Sequence, residues 1–175
     1  MDQMNVPFPK AKKDIALIGL GNILFCDEGF GVHFVRYLKK HFHFPERVEL
    51  IDGGCAGLGL LHLIRGRQAV FLFDVYSSPE PPGTIHVFDW DSIEKLGDNA
   101  LASSHQFGVK EALKIARLVD LAPPYFKAMA VVPERIEPGT ELSETLKRAF
   151  NPLLDLLRQE LSFFNIHPSP KISSE

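Results

Sequence analysis

Gly19-Leu20-Gly21-Asn22-Ile23-Leu24-Phe25-Cys26-Asp27-Glu28-Gly29-Phe30-Gly31 is the stretch from which the fold is read. A short apolar run, Ile15 to Ile18, precedes it, and a helical pattern, Val32 to Lys40, follows. A strand therefore enters a glycine-rich turn and a helix leaves it. In open α/β sheets the ligand crevice lies at the carboxyl ends of the strands. The turn delivers two adjacent acids, Asp27 and Glu28, to that edge. The competing reading is a dinucleotide fingerprint. Gly19 and Gly21 match its first two glycines, but the third falls on Leu24, where a small residue is needed for helix–strand packing. A pyrophosphate would also lie beside two carboxylates, and like charges repel. Paired acids in a loop without a basic residue suit a cation better.

Working outward, strand and helix patterns alternate. Strand one, Ile15 to Gly19, leads to a helix from about Glu28 to Lys40. Val48 to Asp52 is strand two, closed by Gly53-Gly54, and Leu58 to Arg65 is a short helix. Ala69 to Phe73 is a continuous apolar run ending in Asp74, the pattern of a strand buried on both faces. After the break at Pro79 to Pro82, Thr84 to Phe88 alternates and reads as a strand with one wetter face. Ser103-Ser104-His105-Gln106 resembles a capping box, with Ser103 at the cap. It opens a helix to about Val119. Phe126 to Val132 is a further strand. Ser143 caps a last helix, which Pro152 should kink or restart.

The chain has 175 residues, 45% hydrophobic and 23% charged, enough for one domain with a sizeable core. Its formal net charge of −3 points away from nucleic acid and acidic membrane surfaces. No apolar run is long enough to span a bilayer. Residues 1–13 contain Pro7, Pro9 and three lysines and no apolar h-region, so they read as a flexible leader rather than a secretory signal. Residues 166–175, Pro/Ser-rich from His167, read as a flexible, frayed tail. Between them, 14–165 reads as one α/β domain. The two cysteines, Cys26 and Cys55, form no CxxC pair and read as reduced thiols of a cytoplasmic protein.

Three strands thus end in acids at one sheet edge: Asp27 and Glu28 after strand one, Asp52 after strand two, Asp74 after strand three. The capping box places His105 in the first turn of a helix, whose positive end favours the neutral imidazole that binds metal. Carboxylates plus imidazole suit nickel, zinc, iron or manganese. Each residue also has a plainer reading. Asp27 or Glu28 could only complement a helix dipole, Asp74 could cap a turn, and His105 could sit on the surface. Their coincidence at one edge favours a site. His33, His41 and His43 read as solvated, and His62 and His86 lack partners at ligand spacing. There is no HExxH and no GxSxG. Ser103 and Ser104 read as caps. A Cys/His105 nucleophile is conceivable, but the plainer reading of both cysteines is a small buried hydrophobe.

Taken together, these segments resemble the hydrogenase maturation endopeptidases, which trim the C-terminal extension of the large subunit of nickel–iron hydrogenases. The family's opening motif is matched by Gly19 to Leu24 with Asp27 to Gly31. Asp52 to Gly57 is similar to its second motif, Phe73-Asp74 to its third, Ser104 to Gly108 to its histidine motif, and Val131 to Gly139 to its late Pro-Glu segment. The match runs in order from about Asp14 to the last helix. The resemblance implies a single three-layer α/β endopeptidase domain, with a twisted, mostly parallel sheet of about five strands and helices on both faces. It implies that Glu28, Asp74 and His105 are both the metal-binding and the catalytic residues. Many members carry Asp where this chain has Glu28, so the carboxylate here reaches one methylene further. Position 55 is often Thr or another small residue, so Cys55 departs from the pattern.

The implied substrate is a folded large-subunit precursor already carrying nickel, which serves as the recognition signal. Another divalent metal can substitute in the isolated protein. A metal-polarised water or carbonyl is the implied chemistry. Asp27 and Asp52 are general-base candidates by position only. The competing class is a non-proteolytic metal- or nucleotide-binding module. Three ligands, none a cysteine, leave coordination positions open, so chelation should barely affect folding.

Overall fold

The computed structural model of the chain describes residues 13–95 and 107–172. Its centre is β1 (Ile15–Leu20), buried at every position. On one side it pairs in parallel with β3 (Val48–Gly54), on the other with β4 (Ala69–Val75). Beyond β4 lies β6 (Tyr125–Val131), also parallel, and then β5 (Ile85–Phe88), antiparallel to β6. The sheet order is β3-β1-β4-β6-β5. Five strands, four of them parallel, match the sequence reading. The wetter strand, β5, takes the edge, where one ladder side is unpaired.

Alternation along the strands divides the apolar residues between two faces. Ile15, Leu17, Phe71 and Phe73 join a core with α1 (Phe30–His41) and α5 (Glu144–Ser162), through Phe34, Leu38, Leu153 and Leu157. Ala16, Ile18, Val70 and Leu72 join a second core with α2 (Leu60–Ile64), α3 (Trp90–Lys95) and α4 (Phe107–Leu118). Helices thus cover both faces, as parallel strands require. Among the described residues no helix is long and apolar enough to cross a membrane.

Several elements differ from the sequence reading. The first helix does not begin at Glu28: Cys26–Gly29 is a 3-10 turn, and α1 starts at Phe30. The tighter turn fits a backbone pressed against Gly21, where an added Cβ would lie 1.8 Å from the Glu28 carbonyl oxygen. Helix α3 was not anticipated. Asp89 Oδ1 accepts from the Ser92 N–H, and Ser92 Oγ accepts from the Asp89 N–H, a reciprocal cap with serine in place of the usual Glu or Gln. Pro152 neither ends nor restarts α5, which runs uninterrupted for 19 residues. Pro152 is exposed, so water can satisfy the carbonyl it leaves unpaired. The chain after His167, expected to fray, instead forms β7 (Ser169–Pro170). It pairs antiparallel with β2 (Phe42–His43), and the Lys171 N–H donates to the His41 carbonyl. Ser143 caps α5 as expected, its Oγ accepting from the Leu146 N–H at 3.2 Å.

Candidate active site

The strand order fixes where a site can form. From β1 the chain moves outward to β3, then returns to β4 on the other side of β1. The connections diverge between β1 and β4, and ligands bind at such switch points, outside the carboxyl ends of the strands. Glu28 follows β1, and Asp74 is the last residue but one of β4. Both line a single open cleft there, together with Asn22, Gly54, Cys55 and Val109.

Glycines bring the first loop onto the strand ends. An added Cβ on Gly31 would lie 2.0 Å from the Phe73 carbonyl oxygen and 2.5 Å from that of Leu20. One on Gly19 would lie 2.1 Å from the Gly31 carbonyl oxygen. The motif glycines therefore let the start of α1 touch the backbones of β1 and β4. That contact sets Glu28 beside Asp74. Leu24, where a dinucleotide loop would have its third glycine, is 60% exposed.

The adjacent acids have separate tasks. Asp27 is fully buried and spent on the backbone. Its Oδ2 accepts from the N–H groups of Glu134 and Arg135 at 2.9 and 3.0 Å, and its Oδ1 from the Ser143 N–H at 2.7 Å. Asp27 thus ties the late Pro-Glu segment to the first loop. The Cys26 N–H donates to the Gly139 carbonyl, and the Gly139 N–H to that of Leu24. The general-base candidacy of Asp27 falls with this geometry. Asp52, the other positional candidate, is exposed and held by Arg36, with Oδ2 2.7 Å from Nη2. Neither acid lines the cleft that holds Glu28 and Asp74.

Glu28 is 3% exposed, and its Oε1 is buried with no hydrogen-bond partner among the described residues. Asp74 is 6% exposed, and its Oδ1 accepts from the Val75 N–H at 2.8 Å. Burial, with the Glu28 charge adding to it, pushes the Asp74 carboxyl up to about 7, the Val75 N–H opposing. A buried carboxylate oxygen left without a donor is costly unless something supplies positive charge. Two such acids in an open cleft can hold a cation or share a proton. His105, with Ser103, Ser104 and Gln106 of its motif, lies outside the described residues. Among the described residues no three acids, histidines or cysteines group as a metal site.

The cysteines divide as well. Cys26 is buried, as read from the sequence, and Cys55 is exposed at the mouth of the cleft. Desolvation, with the charges of Glu28 and Asp74, pushes the Cys55 thiol up. That disfavours the thiolate a nucleophile requires. His33 is partly buried, contrary to the solvated reading, and its Nε2 is buried without a hydrogen-bond partner among the described residues. Asn22 was not singled out. Its Oδ1 accepts from the Leu24 N–H and holds the turn beside the cleft. The Gly-Asn pair, a turn signature, was its signal.

The family profile described as hydrogenase maturation protease, HycI, matches residues 32–160. The hydrogenase 2 maturation protease of Escherichia coli K12 is 30% identical over 158 residues, 90% of this chain and 96% of that protein. The hydrogenase expression/formation protein HoxM of Cupriavidus necator is 32% identical over 150 residues, 83% of this chain and 74% of that protein. The solved structure of the hydrogenase maturating endopeptidase HybD from E. coli superposes with a TM-score of 0.83 at 30% identity, covering 90% of this chain and 97% of that one.

Proposed function

Since the chain belongs to the hydrogenase maturation protease family, we propose that it is a nickel-dependent endopeptidase acting on a nickel–iron hydrogenase large-subunit precursor, from which it removes a C-terminal extension. Peptide hydrolysis in hydrogenase maturation follows from the family. Nickel, the large subunit and the extension are our reading of the site and of the sequence motifs.

One observation carries the reading: a buried Glu28 oxygen, without a hydrogen-bond partner among the described residues, lies in the same open cleft as Asp74, whose carboxyl burial pushes up to about 7. The two acids fit a divalent cation by donor chemistry, since hard oxygen with imidazole suits nickel and its neighbours. His105 joins them on the strength of its motif. The cation belongs to the substrate and arrives with it. When bound, it supplies a Lewis acid. The chain's own part is to position the precursor, to give up the Asp74 proton as the cation enters, and to hold the first loop rigid through Asp27. Both cysteines are free, which suits a reducing cytoplasm.

A non-proteolytic nucleotide-binding module fits less well. Among the described residues, the charged ones lining the cleft are Glu28 and Asp74, so a pyrophosphate meets like charge there. The test is incubation of the purified protein with nickel-loaded precursor, read by mass spectrometry. Loss of the C-terminal peptide with wild type, and an intact precursor with Glu28→Gln or Asp74→Asn, is expected. Cleavage at the wild-type rate by both variants would overturn the site, and calorimetry showing micromolar NAD(H) binding would favour the alternative.

A further inference from the structure

Two open grooves continue from the acidic cleft along α1. The first shares Gly21, Asn22, Gly54 and Cys55 with the cleft and is walled by Ile23, Leu24 and Val32 up to Arg36 and Asp52. The second shares Arg36 with the first and lies between α1 and the start of α5, from His33 to Lys40 and Lys147. The two grooves adjoin at Arg36, the near one mostly apolar and the far one lined by Lys40 and Lys147. Glu141 is the acid in the lining of the far groove, against Arg36, Lys40 and Lys147. Arg36 is paired with Asp52, and Lys147 with Glu144 at 2.9 Å and Glu141 at 3.9 Å. Lys40 is exposed and has no acidic partner among the described residues. In the lining of the far groove, the His33 Nε2 is buried with no hydrogen-bond partner among the described residues, as a group awaiting a ligand would be.

We infer that this groove holds the C-terminal extension of the substrate as an extended chain, apolar next to the cleft and carrying acidic side chains where it meets Lys40 and Lys147. The inference rests on the proposed endopeptidase reading and adds the chemistry of the chain that the site selects. From Glu28 to Lys40 the groove is roughly 18 Å long, at 1.5 Å per helical residue. An extended chain rises about 3.3 Å per residue, so five or six residues fit. Side chains two to three positions from the cleft pass Leu24 and Val32, and those five or six positions away reach the cations. A chain with lysines at the far positions would place like charges against Lys40 and Lys147.

The test uses two fluorescein-labelled, C-terminally amidated hexapeptides, VAGSEE and VAGSKK, titrated into the full-length protein by fluorescence anisotropy. The acidic peptide should bind about tenfold more tightly at low salt, and the gap should close at about 0.5 M salt. The double variant Lys40→Glu with Lys147→Glu should remove the preference. Both positions are exposed, so the fold is not at stake. With precursor as substrate, the same variant should raise KM and leave kcat unchanged. Equal affinity for the two peptides, or a charge reversal without effect, would overturn the inference. The two claims separate cleanly: peptide preference reads the groove alone, while an uncut precursor with wild-type protein overturns the endopeptidase reading.

Discussion

At the scale of single residues, Asp27 and Glu28 differ only in what their environments ask of them. Asp27 meets three backbone N–H groups that no other side chain serves. Asp27→Ala should destabilise the fold by about 2–3 kcal/mol, because it leaves the buried Ser143 N–H unpaired and releases the part-buried N–H groups of Glu134 and Arg135. A chemical denaturation midpoint close to wild type would contradict this. Glu28→Gln should cost about 1 kcal/mol or less, since Oε1 has no partner to lose, while abolishing precursor cleavage. Asp74 gives a pH signature. Its carboxyl rises from its ordinary 3.8 to about 7 in the folded chain. The folded state therefore holds that proton more tightly than the unfolded state does. The stability linked to it is complete below pH 3.8 and is lost as pH rises through 7, by about 4 kcal/mol at most. Asp74→Asn keeps an acceptor for the Val75 N–H and removes the titration. The variant should be more stable than wild type at pH 8, by about 2–4 kcal/mol, and inactive. Paired thermal melts at pH 5 and pH 8 check this: the advantage of the variant should widen with pH, and a constant gap would contradict it. The residues by themselves showed two acids in a row, and only the family resemblance set Glu28 apart; the task of Asp27 was not legible. The division depends on a contact 107 residues away.

At the scale of elements, the first loop, α1 and the Pro133–Gly139 segment act as one assembly against the strand ends. Gly31→Ala tests it. The new Cβ would overlap the Phe73 carbonyl oxygen, so α1 must lift and Glu28 with it. A loss of about 3 kcal/mol is expected, with cleavage impaired even in the folded protein. Normal activity in that variant would show that the close approach does not position Glu28. Strands β1, β4 and β6 were legible because buried parallel strands are nearly unbroken apolar runs, and β3, at the sheet edge, from Val48, Leu50 and Ile51 closed by Gly53-Gly54. The sheet-edge acids were legible for a related reason: each follows or ends such a run, so its place in space follows from its place in sequence. The β2–β7 pair was not legible. Each strand has two residues, and β7 contains Pro170, which no strand pattern would select. Helix α3 was missed because its serine cap lies outside the usual signature.

At the scale of the whole molecule, two apolar layers enclose the sheet, and the acid pair lies at its edge. Folding therefore does not need the cation. Chelator should shift the melting temperature by no more than about 1 °C, below the roughly 2–4 °C that a loss of 1 kcal/mol produces in a domain of this size. A large drop would make the metal structural. What the fold does is hold Glu28 and Asp74, both buried, in a cleft open to a partner, with a groove leading away from it. The central claim is that this edge meets a metal brought by the substrate. The most direct measurement is the rate at which the wild-type protein cuts nickel-loaded and metal-free precursor, side by side, read as appearance of the shortened subunit. The expected result is cleavage of the nickel-loaded form and none of the metal-free form. Efficient cutting of metal-free precursor would contradict it.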